Sequence, residues 1–407
     1  MEPAARHFSP RISVSEDNRA VGRVESLARS PNSATLRPEY RLLIACSGAH
    51  LSPDLRQEIG RLLDGRLDWP LVLETARAQR VVSLSFSSLR DVDEAAVPDG
   101  IIAAFRAGSL ANAARNLRLA GKLIEIDARA ARAGIPLVPY KGPVLAEMAY
   151  GNLGQRAFVD LDFIVPHRHL RAAWEMLADL GYRPPNPALA AASAAIPGEY
   201  LFLAPGGDFH LELHTELTLR HFPAPPDLGP LLDAREPVTI AARRVLTFSR
   251  EDTLTLLAVH GAKDFWAQLL WICDIAALYR TEGFDGERAL ECSGRLGCRR
   301  MVHIALLLAR DLFETPIPGE MEREVEADAV ARRQARWLAG RLFQPGPIGL
   351  LKQARYRMQM VEGFWPGLRY AARLATTPAA DDWNTVRLPA PLGFAYALLR
   401  PLRLLRR

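Results

Sequence analysis

The sequence predicts an α+β fold in which a small mixed β-sheet lies between two helical regions. Three observations indicate this arrangement: helical spacing of apolar residues in the first third of the chain, short alternating apolar segments in the middle, and helical spacing again to the end. We therefore divide the chain into a disordered leader (1–39), an N-terminal helical domain (40–133), an α/β core (134–249) and a C-terminal helical domain (250–407).

The composition is that of a globular protein. The chain has 407 residues, 49% hydrophobic and 24% charged, which suffices for two or three domains with buried cores. A formal net charge of +5 suits anionic substrates such as nucleotides and does not predict a specific nucleic-acid partner. Four scattered cysteines without zinc-type spacing, and apolar runs all shorter than the ~20 residues of a membrane helix, predict a cytoplasmic protein with reduced thiols.

The segments on either side of the predicted α/β core have sequence patterns typical of disorder or of helices. Residues 1–39 are rich in Arg, Ser, Pro and Asn without periodicity, which is typical of disorder. Ser52-Pro53-Asp54 is a helix start, and an Ala/Leu/Arg-rich segment over 100–133 predicts one long helix. The segment from residue 250 onward has apolar residues at helical spacing.

Two carboxylates interrupt a short apolar strand over residues 159–165. Side chains two apart in a strand point to the same face, so Asp160 and Asp162 project together. The alternate positions are apolar and face the other side: Val159, Leu161, Phe163 and Val165. Adjacent anions repel unless a cation lies between them, and Mg²⁺ prefers such oxygen-rich sites. The other interpretation is structural: one Asp caps the following helix, and the other is a solvated residue at the edge of the sheet.

A turn with phosphate-binding chemistry precedes this strand. Lys141-Gly142-Pro143 follows a β-type segment over 135–140 and opens a helix. Glycine lets the backbone approach a ligand at a helix N-terminus, where free N–H groups favour phosphate, and Lys141 adds a positive charge. An ordinary strand-to-helix turn explains the same residues, so both interpretations stay open.

A third carboxylate lies on a later strand. Strands are predicted over 199–203 and 209–214, followed by a hairpin over 237–248. Strict alternation in the second strand places His210, Glu212 and His214 on one face. The His-x-Glu-x-His pattern allows a transition-metal site, or His214 can be a structural partner of Glu212.

The motifs together resemble a bacterial nucleotidyltransferase family within the DNA polymerase beta superfamily. The likeness covers about residues 134–280. The motifs that carry it are Lys141-Gly142, Arg156, Asp160-Leu161-Asp162 and Glu212-Leu213-His214. A helical segment then matches with His260, Lys263, Asp264, Trp266, Trp271 and Asp274.

The resemblance implies a metal-dependent transferase that moves a nucleoside monophosphate from an NTP to an acceptor and releases pyrophosphate. The acceptor is a small molecule, a sugar phosphate, a peptide or a protein. Asp160, Asp162 and Glu212 are the implied catalytic residues and ligands of Mg²⁺, with Mn²⁺ as the alternative ion. A catalytically silent nucleotide-binding or scaffold module of the same fold is the other function we consider.

The resemblance also implies a nucleotide-binding set, with ATP as the expected nucleotide. Its members are Lys141, Gly142, Arg156, His260 and Lys263. Arg156 either binds phosphate or braces the Asp pair, and His260 with Lys263 either lines the cleft or forms a surface ion pair beside a core histidine. Trp266 and Trp271 either pack or stack on a base.

The sequence departs from the superfamily pattern at two positions. Pro143 stands where a serine is usual, so backbone N–H groups or Lys141 must take over the contact to the triphosphate. Glu212 stands where aspartate is commoner, which lengthens the side chain by one methylene group.

The end of the chain alternates basic and apolar residues over 398–407. This pattern is typical of contact with an anionic membrane surface, and also of a docked terminal helix or a partner contact.

Overall fold

The structure is a computed structural model that describes residues 36–186, 198–216, 222–223, 228–344 and 346–376. Almost all of the predicted leader (1–39) and the basic tail over 398–407 lie outside the described residues.

Five helices form the N-terminal part of the described chain. They are α1 (Pro38–Ser47), α2 (Pro53–Leu63), α3 (Trp69–Ala78), α4 (Val82–Asp93) and α5 (Asp99–Arg132). The predicted start of α2 is confirmed, because the Ser52 hydroxyl accepts a hydrogen bond from the Leu55 N–H at 3.2 Å. The predicted long helix is also confirmed, since α5 runs for 34 residues.

The middle of the chain contains a four-stranded sheet and a separate hairpin. Its elements are β1 (Val138–Pro139), α6 (Gly142–Tyr150), β2 (Asp160–Ile164), α7 (Leu170–Asp179), β3 (Glu199–Leu203), β4 (His210–His214), α8 (Gly229–Asp233), β5 (Glu236–Ile240) and β6 (Arg243–Thr247). The sheet order is β1-β2-β4-β3, in which β2 and β4 are parallel and the other pairs antiparallel. The predicted small mixed sheet is therefore confirmed.

The apolar face of the sheet packs on the helices as the alternation predicts. Leu161 and Phe163 of β2 and Leu211 and Leu213 of β4 are fully buried in one hydrophobic cluster. Val159 differs from the prediction, because it precedes the first residue of β2 and is exposed.

Between the hairpin and residue 376, the described residues form eight helices. They are α9 (Arg250–Lys263), α10 (Leu269–Tyr279), α11 (Gly286–Arg295), α12 (Arg299–Phe313), α13 (Gly319–Ala327), α14 (Ala329–Ala339), α15 (Leu350–Gln359) and α16 (Phe364–Thr376). Apolar residues from α9 to α15 and from α1 to α4 share one hydrophobic cluster, and a second cluster surrounds the sheet. Helix α5 contributes Phe105 to the first cluster and Leu123 to the second. In the described part of the chain, every helix is too short or too polar to cross a membrane.

Candidate active site

Two parallel strands bring the three predicted carboxylates together. In the register of β2 and β4, Asp160 lies opposite His210 and Asp162 lies opposite Glu212. Because parallel strands in register present equivalent positions to the same face, all four side chains point to one side of the sheet. The sequence pattern of alternating polar residues thus becomes a single cluster.

The cluster contains two overlapping groups of metal-ligand type. One consists of Asp160, His210 and Glu212, and the other of Asp162, Glu212 and His214. Within each group, one ligand atom per residue lies within 4.8 Å of the others. The carboxylate oxygens at this spacing fit divalent cations, and Glu212 is shared between the two groups.

Lys141 and His214 hold Asp162 in its ionised form. The Lys141 ammonium lies 3.1 Å from Asp162 Oδ1, and His214 Nε2 lies 3.3 Å from the same oxygen. Burial disfavours the charge on Asp162, but the positive charge of Lys141 and the hydrogen bond from His214 outweigh it and lower the pKa of the carboxyl. Burial lowers the pKa of Lys141, but attraction to Asp162, with smaller contributions from Tyr140 and Asp160, outweighs it, so the pKa is raised overall.

The other two carboxylates shift in opposite directions. Burial, followed by repulsion from Asp162, raises the pKa of Asp160. The hydrogen bond from His214, whose Nε2 lies 3.4 Å from Glu212 Oε2, lowers the pKa of Glu212. His214 is buried, which opposes its charging, yet its bonds to Asp162 and Glu212 raise its pKa overall. The imidazole therefore bridges two carboxylates as a donor.

The Lys141-Gly142 turn lies close beside β2. Gly142 has φ +53°, a left-handed conformation that favours glycine. A Cβ atom at this position would lie 3.5 Å from the carbonyl oxygen of Asp160, so the turn runs close beside the strand. Pro143 occupies the first turn of α6, where backbone N–H groups have no hydrogen-bond partner within the helix. The absence of an N–H on proline therefore removes no helical hydrogen bond.

Helix α9 adds two of the predicted nucleotide-binding residues to the edge of the cluster. The Lys263 ammonium lies 2.9 Å from Glu199 Oε1, and the same oxygen lies 3.9 Å from His214 Nδ1. Burial lowers the pKa of His260, and the charges of Lys141 and Lys263 lower it further, so the imidazole is neutral at neutral pH. Lys141 thus contacts the carboxylate cluster through Asp162, and Lys263 lies beside it through Glu199.

Arg156 is engaged by a buried partner. Its Nε lies 3.0 Å from Asp274 Oδ1 and its terminal nitrogen 3.0 Å from Oδ2, and both side chains are buried. The Tyr150 hydroxyl donates to the same carboxylate at 2.9 Å. The structure pairs Arg156 with Asp274, not with Asp160 or Asp162 as the expected brace of the Asp pair would require, and this pair ties the segment before β2 to α10. Direct binding of phosphate by Arg156 stays a prediction.

The two tryptophans of the predicted pattern differ in their surroundings. Trp266 is buried against Gly261 of α9, where an added Cβ would lie 2.7 Å from the ring. The packing interpretation therefore holds for Trp266. The Trp271 ring contacts His260 edge-on at 4.9 Å and is only partly buried.

Sequence reasoning missed four residues that shape the site. Glu199 accepts the bond from Lys263, and Tyr140 packs its ring edge-to-face with His214 at 5.5 Å. Asn112 of α5 donates to the Gly154 carbonyl at 2.9 Å, and Asn116 donates to the Arg156 carbonyl at 2.7 Å. The available signal was a pair of asparagines four residues apart, hence on one face, within an Ala/Leu-rich helix.

The comparisons with known proteins agree with this geometry. The family model described as an uncharacterised nucleotidyltransferase matches residues 65–314, well over half of the chain. No curated protein and no solved structure matches the chain significantly. The matched range includes the Lys-Gly turn, the three carboxylates and the α9 residues, and it extends beyond residues 134–280 on both sides. The chain therefore belongs to this uncharacterised nucleotidyltransferase family.

Proposed function

We propose that the protein transfers a nucleoside monophosphate from an NTP, with ATP as the preferred donor, to an acceptor hydroxyl with release of pyrophosphate. The observation that carries this proposal is the in-register pairing of Asp162 with Glu212, which gathers three carboxylates on one face of the sheet. Family membership supports the general reaction, nucleotidyl transfer. The acceptor is a small molecule, a sugar phosphate, a peptide or a protein.

Asp160, Asp162 and Glu212 would hold divalent cations, Mg²⁺ or Mn²⁺. When bound, these cations supply positive charge to the triphosphate and to the leaving pyrophosphate. The lowered pKa of Glu212 keeps this residue ionised, so it can orient the acceptor hydroxyl and accept its proton. Its side chain is one-third exposed, which leaves room for the acceptor.

Lys141 and Lys263 supply the positive charge for the phosphates. Lys141 lies at the N-terminus of α6, whose first free N–H groups can replace the serine hydroxyl that Pro143 lacks. Lys263 approaches the cluster from α9 through its contact with Glu199. Gly142 lets the phosphate approach the backbone, and the neutral His260 imidazole offers a hydrogen bond without adding charge.

Calorimetric titration of ATP into the protein, with and without Mg²⁺, tests this proposal. The wild type should bind ATP in a Mg²⁺-dependent manner, and the Asp160→Asn/Asp162→Asn variant should lose that dependence because its amides are poor metal ligands. Asp179→Asn is the matched control, since Asp179 is an exposed carboxylate at the end of α7.

The acceptor is approached with ATP labelled on the α-phosphate. Transfer of label to a fraction of small molecules or proteins, lost in the Asp160→Asn/Asp162→Asn variant, supports the enzyme. If the wild type binds no NTP with any divalent cation, the proposal fails and a scaffold role of the same fold replaces it.

A further inference from the structure

Large apolar side chains are exposed on the last two described helices. Of those that the described part of the chain exposes, six lie between residues 350 and 368: Leu350, Leu351, Met358, Phe364, Trp365 and Leu368. Leu351 is 88% exposed and Phe364 is 76% exposed, values that are unusual for such side chains. Clustered apolar exposure of this kind marks an interaction surface.

The exposed residues form one face of each helix. On α15, Leu350 and Met358 are eight residues apart, and on α16, Phe364 and Leu368 are four apart, so each pair lies on one side of its helix. The opposite sides are anchored by the buried Tyr356 of α15 and by other packed residues. The exposed apolar faces are therefore distinct from the faces with which the two helices pack against the rest of the protein.

The two faces belong to one surface. A Cβ atom placed on Gly367 of α16 would lie 4.0 Å from the terminal methyl of Met358 on α15. The Phe364 and Trp365 rings pack edge-to-face at 5.4 Å. We call the six exposed side chains on these two helices the α15–α16 face.

Positive charge accompanies this face. Residues 350–376 contain five Lys or Arg and one Asp or Glu, a formal charge of +4 beside the +5 of the whole chain. On the two helices, Arg355 and Arg369 are exposed. Lys352 is also exposed, with its ammonium 4.5 Å from the centre of the Trp337 ring. The two helices thus combine exposed apolar side chains with exposed positive charge.

We propose that the α15–α16 face binds the surface of an anionic lipid bilayer. Phe, Trp and Leu side chains enter the boundary between headgroups and acyl chains, while the neighbouring Arg and Lys side chains attract anionic headgroups. A nucleic acid would satisfy the charges and leave the apolar face in water, so a lipid surface fits the residues better. This site is separate from the Asp160/Asp162/Glu212 cluster and does not depend on its activity.

Co-sedimentation of the full chain with vesicles tests the proposal. The protein should bind vesicles of phosphatidylcholine mixed with phosphatidylglycerol, bind phosphatidylcholine alone far less, and be released by salt as screening increases. The Phe364→Ser/Trp365→Ser/Leu368→Ser variant should partition at least about tenfold more weakly, because three large apolar side chains leave the interface. Leu110→Ser/Leu117→Ser, which changes exposed leucines of α5, is the matched control and should bind like the wild type.

Three results would overturn the proposal. They are no binding to the anionic vesicles, equal binding to both lipid compositions, and undiminished binding by the triple variant. A dimer in sedimentation equilibrium that the triple variant dissolves would assign the α15–α16 face to a second copy instead. Circular dichroism and ATP titration of the triple variant should match the wild type, which separates loss of this surface from unfolding and from failure of the nucleotide site.

Discussion

His210 and His214 lie on the same face of β4 but have different environments. His214 is fully buried and its Nε2 is shared between Asp162 and Glu212. The His210 side chain is 36% exposed, and its Nε2 lies 3.5 Å from Asp160 Oδ2. His214 therefore organises the carboxylates, whereas His210 is free to present a nitrogen ligand beside Asp160.

The position of His210 leads to a prediction about metal preference. Imidazole binds Mn²⁺ better than Mg²⁺, which prefers oxygen ligands. We expect His210→Ala to weaken Mn²⁺ binding about tenfold, or ~1.4 kcal/mol, and to change Mg²⁺ binding less. Calorimetric titration with each metal measures both affinities, and His50→Ala, an exposed histidine, serves as the control. Equal losses for the two metals would show that His210 acts only through charge or packing.

Lys141 gives a prediction about metal removal. Lys141→Met leaves the buried Asp162 without its strongest cationic partner, which should cost about 3 kcal/mol of stability in the absence of divalent metal. Mg²⁺ should restore more stability to this variant than to the wild type, because the ion replaces the lost charge. Thermal unfolding with EDTA and with Mg²⁺ measures the difference.

A matched substitution separates this effect from loss of any lysine. Lys122 pairs with Glu125 on the surface of α5, so Lys122→Met should cost less than about 1 kcal/mol. If the two variants are equally stable in EDTA, Asp162 does not need Lys141 for charge balance.

At the scale of elements, local patterns predict most of the sheet. Alternation in the sequence predicts β2 and β4 to within one or two residues, because one face of each strand is buried and the other polar. The strand predicted over 199–203 is also found, although its exposed face carries Leu201 and Leu203. The segment over 135–140 yields only two paired residues, Val138 and Pro139. Pro136 and Pro139 have no N–H to donate to a ladder, which limits the length of β1.

The contact between α9 and Trp266 gives a prediction at this scale. Gly261→Ala places a Cβ 2.7 Å from the Trp266 ring, and such overpacking should cost about 1–3 kcal/mol. Gly121→Ala is the control, because nothing lies within 4 Å of its Cβ position on the exposed face of α5. That variant should be unchanged or more stable by up to about 1 kcal/mol. Urea denaturation measures the stability of both variants. Equal midpoints would mean that the Trp266 ring shifts to accommodate the added methyl group without loss of stability.

At the scale of the whole molecule, segments that are far apart in the sequence pack together. The N-terminal and C-terminal helices contribute to one hydrophobic cluster, and α5 links that cluster to the one around the sheet. The sequence predicts the helices and names Asp274 through the family pattern, but not the pairing of Asp274 with Arg156. The two residues are 118 positions apart, and no local periodicity reports which buried charges meet.

The Arg156–Asp274 pair gives a prediction about the junction between β2 and α10. Asp274→Ala leaves a buried guanidinium without its carboxylate and should cost about 3–5 kcal/mol. Arg156→Met/Asp274→Leu should recover much of that stability, because an apolar pair needs no charge balance. Chemical denaturation measures all three proteins. Asp91→Ala, at an exposed ion pair, should have little effect.

A measurement of ATP binding distinguishes a structural role of Arg156 from direct contact with phosphate. If bracing is its role, the refolded Arg156→Met/Asp274→Leu variant keeps its affinity for ATP. A large loss of ATP affinity in a stable double variant would instead support direct binding of phosphate.

The salt bridge between Lys141 and Asp162 has a consequence for how the protein is made. Adjacent carboxylates that depended on a metal would repel one another in a newly synthesised chain and delay closure of the sheet. Because an ammonium group from the same polypeptide already neutralises Asp162, β2 and β4 can pair before any ion arrives. On the proposed function, a divalent cation would then be loaded into a sheet that has already formed.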